Sequence, residues 1–393
     1  MRLVLYTGKG GVGKTTTAAA TAACAAERGR RTLVASADAA HSLGDVLERR
    51  LGPEPTNVAP HLDAIEIDPR AEMERHWGRI RDFLIEVFVH QGIDDVVAEE
   101  LAMLPGAEEI TTLLAIEGFA ESGRYDFVIV DCAPTDSALR LATLPDLAHR
   151  ALKLLLPTMQ AITAVGTPIA RKVVSVPLPG AEVFKDAEAL IYDKFQLLRE
   201  RITDSQTSIR LVVTPERVVI EEARRAYTEL ALFEVPCDAV VMNRLLPAEA
   251  AREEFFNEMS RLQEQRFAEV EQTFAPLPVL RGPLFDDEVT GVDRLAELGR
   301  SLFATRRPDA VLSASAQVRF RRDDHGYRVE IPLPRACADE IDVAVVGEEL
   351  AITIGGRRRL LALPRQMARL AVETAKLEGT QLVVRFGPIG SGR

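Results

Sequence analysis

Cysteine is scarce in this 393-residue chain, and its four copies, Cys24, Cys132, Cys237 and Cys337, are scattered without a single C-x-x-C pair. That spacing argues against a disulfide scaffold, a zinc site within one chain or a thiolate-ligated cluster; it suits small, buried apolar residues. No run of about 18 uninterrupted apolar residues occurs, so no membrane span is expected. The N-terminus runs directly into a strand and a glycine-rich loop, so no signal peptide is expected either, and the reading is cytosolic. Basic charge is short over most of the chain: residues 1–305 hold 33 Lys+Arg against 48 Asp+Glu, a poor surface for nucleic acid, whereas residues 306–393 hold 15 against 11. A hydrophobic content of 47% is enough for a substantial core, and the length suits one large α/β domain followed by a small one.

What is present begins at the first loop. Gly8-Lys9-Gly10-Gly11-Val12-Gly13-Lys14-Thr15 fits G-x-x-x-x-G-K-[ST], between an apolar strand at residues 2–7 and an alanine-rich helix opening at Thr16. Glycines free backbone N–H groups to face an anion, and the helix N-terminus adds its dipole. Lys14 is expected to reach the β- and γ-phosphates of a nucleotide, and the Thr15 hydroxyl to hold Mg²⁺. A turn with four glycines and no ligand would cost conformational entropy without return. The second lysine, Lys9, makes the loop resemble the deviant phosphate loop of the ATPase superfamily that includes nitrogenase iron protein, partition and division-site ATPases, and the arsenite-pump and tail-anchored-protein targeting ATPases. The resemblance implies that Lys9 crosses a homodimer interface to the partner's nucleotide; spacing alone also allows a solvated surface charge.

Four further segments extend the resemblance. The strand at 32–37 ends at Asp38, and Asp38-Ala39-Ala40-His41-Ser42 is similar to the first switch of the arsenite-pump and targeting ATPases, with Ala39 in place of a proline. By that likeness Asp38 orients the attacking water; by itself it also reads as a helix N-cap. The strand at 125–131 delivers Asp131 toward Mg²⁺, as a Walker-B element does. The segment Asp131-Cys132-Ala133-Pro134-Thr135 resembles the second switch, although Asp136 and Ser137 replace its Gly-His pair. A strand ending at Asn243 resembles the position that reads adenine, and a loop from Pro283 to Gly291 resembles the cover over the base; a loop or capping asparagine is the plainer alternative.

Residues 145–204 look like the helical insertion that lines a client groove in targeting ATPases, or else like core helices. Beyond Arg306-Arg307-Pro308 the apolar pattern changes to period two, as in a small antiparallel sandwich, and resembles the α-crystallin-like domain of some relatives. Arg357, Arg358 and Arg359 read as a solvated turn or strand start. The expected architecture is therefore a mostly parallel phosphate-loop α/β domain over residues 1–305, with helices on both faces, and an all-β sandwich over 315–388. The expected activity is Mg²⁺-ATP hydrolysis by a homodimer without zinc, coupled to hydrophobic or membrane-protein clients. An arsenite-pump subunit and a partition-type switch are the alternatives.

Overall fold

The computed structural model describes residues 1–38, 42–90, 92–102, 107–132, 195–314, 317–323 and 326–388. Residues 145–194 of the expected groove-lining insertion, together with His41, Asp136 and Ser137, lie outside them.

The strand β1 (Arg2–Thr7) is buried along its whole length. It belongs to an eight-stranded sheet with β2 (Thr32–Ser36), β3 (Thr56–Ala59), β4 (Leu62–Glu66), β5 (Phe127–Asp131), β6 (Thr207–Val213), β7 (Cys237–Leu245) and β8 (Val279–Pro283), in the order β3-β4-β2-β5-β1-β6-β7-β8. Every pairing is parallel except β3 with β4 at one edge. Apolar runs such as Phe127-Val128-Ile129-Val130 follow from burial on both faces, which leaves no position for a polar alternation.

The helices are α1 (Lys14–Glu27), α2 (Ser42–Leu47), α3 (Pro69–His90), α4 (Asp95–Ala102), α5 (Ala107–Glu121), α6 (Phe195–Thr203), α7 (Arg217–Leu232), α8 (Glu254–Phe274) and α9 (Gly291–Phe303). The step from β1 through α1 to β2 runs one way across the sheet, and the steps from β6 through α7 to β7 and through α8 to β8 run the other. Right-handed crossovers then set α1 on one face and α7 and α8 on the opposite one. The alanines of α1 let α9 approach closely: a Cβ at Gly299 would lie 2.3 Å from the Ala20 carbonyl oxygen.

Charge is buried at the opposite edge from the loop. Asp238 accepts from Arg2 (2.7 Å) and Arg210 (3.0 Å), and Arg210 also donates to the Tyr6 hydroxyl (3.3 Å). Burial pushes the Asp238 carboxyl up, but Arg210 and Arg2 outweigh it and hold the group below the usual carboxylate range. The chain beyond Thr305 completes this cluster. The Leu312 N–H donates to Asp238 (3.1 Å), the Ala310 carbonyl accepts from Arg210 (3.1 Å), and Asp309 pairs with Arg30 (2.8 Å). Residues 306–314 are thus a strap laid over the α/β part.

Behind the strap, a four-stranded sheet is formed by β9 (Arg319–Asp323), β10 (Gly326–Pro332), β14 (Leu370–Glu378) and β15 (Gln381–Pro388). A three-stranded sheet is formed by β11 (Ile341–Val346), β12 (Glu349–Ile354) and β13 (Arg357–Ala362). Val329 and Ile331, Leu350 and Ile352, and Leu382, Val384 and Phe386 alternate inward into one core, as their period-two pattern requires. Leu232, at the end of α7, is buried in the same core. Arg359 corrects the reading of the arginine triplet as solvated: it is buried, donates to the Leu232 carbonyl and pairs with Glu234. The sequence could not show this, because the partners lie about 125 residues earlier. Three cysteines are buried as expected, whereas Cys337 is half-exposed.

Removing residues 306–393 strips the backbone partners from Arg210 and Asp238, whereas removing 317–393 keeps them. An unsatisfied buried polar group costs about 1–3 kcal/mol, so the shorter product is expected to unfold several degrees below the longer one in thermal melts. Equal midpoints would show that the strap adds nothing.

Candidate active site

Strand order reverses at β1, with β5 on one side and β6 on the other, and the loop after such a strand opens into a crevice at the carboxyl edge. Residues 8–13 form that loop. Gly8 (φ 156°) passes so close to β6 that a Cβ would lie 2.3 Å from the Val212 carbonyl oxygen. Gly13 is left-handed (φ 88°) and caps α1 with no side-chain hydrogen bond, so the first N–H groups of the helix are left without a side-chain cap. Gly10 and Gly11 face open space.

Parallel register brings three strand ends together, because Tyr6 of β1 and Ser36 of β2 both lie opposite Asp131 of β5. The Thr15 hydroxyl donates to Asp131 Oδ2 (2.6 Å) and lies 3.2 Å from Ser42 Oγ. Asp131 Oδ1 is buried and has no hydrogen-bond partner among the described residues. Burial pushes the Asp131 carboxyl up to about 6, the Thr15 hydroxyl and the Lys14 ammonium draw it down, and nearby Asp38 raises it again. Lys14 is buried, and its Nζ donates to the Lys9 carbonyl at 3.4 Å. The half-buried Asp38 follows β2, its N–H donating to Ser36 Oγ (3.3 Å). Lys14, Thr15, Asp38 and Asp131 therefore converge. Lys9 does not join them: its Nζ pairs with Glu222 of α7 at 3.8 Å, and both side chains are partly exposed.

The other expected residues meet beside the loop. Gly13, Thr16, Asn243 and Pro283 line a cavity of 640 Å³ together with Arg244 and Phe285. The acidic loop 284–290 forms one wall and is held by Arg294, which pairs with Asp286 (2.8 Å) and lies 5.3 Å from the Phe285 ring centroid. Asn243 Nδ2 donates to the Val12 carbonyl at 2.9 Å. Sequence reasoning missed Ser42 beside Thr15, and Val46 and Leu298 on the cavity wall. Ser42 stands inside the motif that begins at Asp38, without a role assigned to it there; the other two carry no signal.

A family model described as anion-transporting ATPase matches residues 1–304. The chain belongs to that family. It is an ATPase, and a second family model, an HSP20-like domain found in ArsA, matches residues 324–386. The chain is similar to a putative arsenical pump-driving ATPase 1 of Aquifex aeolicus (32% identical; 98% of this chain, 99% of that protein). It is similar also to a putative arsenical pump-driving ATPase of Chlorobaculum tepidum (33%; 98% and 96%). An ATPase ASNA1 homolog 1 of Paramecium tetraurelia is 25% identical over 76% of this chain and 91% of its own length. No helix among the described residues of this ATPase is long and apolar enough to cross a membrane.

The glycines of the loop separate cleanly by what surrounds them. Gly8→Ala is expected to lower stability by about 1–3 kcal/mol through overpacking against β6, and Gly10→Ala to change it by less than about 0.5 kcal/mol. Urea unfolding of both variants checks this, and equal losses would contradict the loop geometry.

Proposed function

We propose that the chain binds Mg²⁺-ATP at residues 8–16 and hydrolyses it as a homodimer, coupling the nucleotide state to the handling of hydrophobic or membrane-protein clients. The observation that carries the nucleotide reading is Asp131. One oxygen accepts from Thr15, the other is buried with no partner among the described residues, and Lys14 is close by. A buried carboxylate oxygen is costly without a donor or a cation, so the donor set fits a hard cation with oxygen ligands. Mg²⁺, when bound, would neutralise charge developing on the β- and γ-phosphates. Thr15 and Asp131 would hold it. The loop amides and Lys14 then cradle the phosphates, Asp38 orients water, and the base enters the cavity beside Asn243 and Pro283, under the loop that begins there.

The homodimer reading is supported by Lys9, whose partly exposed side chain is held, among the described residues, only by a 3.8 Å pair with Glu222, and by the apolar stripe Phe255, Met259 and Leu262 on α8. These residues are 86%, 57% and 48% exposed at helical spacing, and α8 leaves the carboxyl edge of β7, the edge from which the phosphate loop also leaves β1. Client handling is supported by the HSP20-like match behind the ATPase part and by the apolar residues 152–169 of the sequence. The names of two relatives favour a second reading, an arsenical pump-driving subunit. A soft-ion trigger needs thiolates together, whereas Cys24 is buried in α1, Cys237 in β7 and Cys132 just past the end of β5.

Asp38→Asn is expected to bind Mg²⁺-ATP normally and hydrolyse it at least about 100-fold more slowly, the scale of a positioned proton-transfer group; Lys14→Ala is expected to lose binding as well. Near-normal turnover by Asp38→Asn would refute the assignment. For the client, exchange of Leu155, Met159 and Ile162 for polar residues is expected to abolish capture of a transmembrane-helix peptide with nucleotide binding intact. Unchanged capture, or hydrolysis that responds to arsenite instead of the peptide, would favour the pump reading.

A further inference from the structure

Asn243 lies where β7 reaches the carboxyl edge, beside the turn from β1 into α1, and is only 6% exposed. Its side chain does more than face the cavity. Nδ2 donates to the Val12 carbonyl at 2.9 Å, a buried bond between residues 231 positions apart. Two glycines shape the slot that holds the carboxamide. A Cβ at Gly13 would lie 2.4 Å from Nδ2, and one at Gly282 of β8 would lie 2.7 Å from Oδ1. The nitrogen thus faces the loop and the oxygen faces β8, and the amide cannot be reversed, because Oδ1 against the Val12 carbonyl would set two acceptors together.

The peptide held in this way is the one that leads into Gly13, the cap of α1. In a trans peptide the C=O and the following N–H point in opposite directions. Fixing the Val12 carbonyl toward Asn243 therefore turns the Gly13 N–H away from it. Gly13 itself is at φ 88° and ψ 36°, a left-handed conformation that a glycine in solution leaves freely. Its capping position has no side-chain hydrogen bond of its own. The Asn243 bond joins this turn to a rigid, buried strand.

We propose that Asn243 is a positioning residue for the phosphate loop: through Nδ2 and the Val12 carbonyl it sets the Val12–Gly13 peptide, and so contributes to binding of the polyphosphate whatever base is attached. The inference rests on the reading of residues 8–15 as a phosphate loop. It separates Asn243 from a residue that only reads adenine, since such a residue has no influence on a ligand without a base.

The test uses the full-length protein, its Asn243→Ala variant, and Asn243→Asp, which keeps the shape but replaces the donor by an acceptor. Affinities for Mg²⁺-ATP and for Mg²⁺-tripolyphosphate are measured by displacement of a fluorescent ATP analogue, and amide hydrogen exchange is followed without ligand. Asn243→Ala is expected to lose affinity for both ligands by the same factor, about five- to tenfold, which is the worth of one buried hydrogen bond, and Asn243→Asp to lose more, because its carboxylate faces the Val12 carbonyl and repels both anions. Exchange is expected to quicken at residues 8–15 while β1, β6 and β7 keep their protection. A loss for ATP alone, with tripolyphosphate unaffected and the loop amides unchanged, would overturn the proposal and leave Asn243 a base contact. Faster exchange throughout the sheet would also overturn it, as the mark of a general packing defect. A wild-type protein that binds neither ligand would refute the phosphate-loop reading, and this inference with it.

Discussion

Parallel register is the constraint on which the site depends. With β1 flanked by β5 and β6 and buried along all six residues, the loop after Thr7 has only one edge from which to emerge. The register that sets Tyr6 and Ser36 opposite Asp131 brings the ends of β1, β2 and β5 to one level. A slip of one residue in a parallel pair would turn the Asp131 side chain to the other face of the sheet. The 2.6 Å bond between Thr15 and Asp131 is thus a consequence of strand pairing, which itself is secured by apolar burial on both faces.

The same sheet tolerates charge at its far edge because the charges satisfy one another. Asp238 receives Arg2, Arg210 and the Leu312 N–H, and Arg210 also reaches Tyr6 and the Ala310 carbonyl. Breaking one partner of such a cluster strands the rest in low dielectric, at about 3–5 kcal/mol. Stability of the α/β part consequently extends into residues 309–312, past the point where its last helix ends. The arginine–proline stretch at 306–308 is a boundary in composition but not in packing.

What the sequence made legible follows from burial. Strands β1, β2, β5 and β7 are apolar because both of their faces are covered, so simple runs identify them. Edge strands carry weaker signals: β3 has only one buried residue among four, and β8, Val279-Leu280-Arg281-Gly282-Pro283, reads as a turn. The inward residues of β10, β12 and β15 showed the sandwich, whereas β14 is mostly exposed and was missed. Local motifs single out Gly8–Thr15, Asp38 and Asp131, and of these Lys14, Thr15, Asp38 and Asp131 lie together whereas Lys9 turns to Glu222. The wall residues Val46 and Leu298, the inward turn of Arg359 and the bond from Asn243 to Val12 depend on partners far away in the chain, and no local pattern encodes them.

The site is held with unequal strength on its two sides, and helix α7 lies on the weaker one. Lys14 and Asp131 are buried, and Asp131 accepts from the half-buried Thr15 at 2.6 Å. Lys9 is held to Glu222 by a pair 3.8 Å apart with side chains 41% and 31% exposed, the kind that contributes about 0–1 kcal/mol. A nucleotide can shift an equilibrium only by the difference in its affinity for the two states, and little is needed to draw Lys9 from its present partner. At the opposite end α7 is fixed to the sandwich: Thr228 donates to the Pro334 carbonyl at 2.6 Å, Leu232 is buried in the sandwich core, and Arg359 grips the last turn. One 16-residue helix therefore carries an easily exchanged ion pair near the loop and a fixed anchor in the second core. Glu222 lies in the second turn of α7, and ten residues, about 15 Å of helix, separate it from Leu232 in the second core.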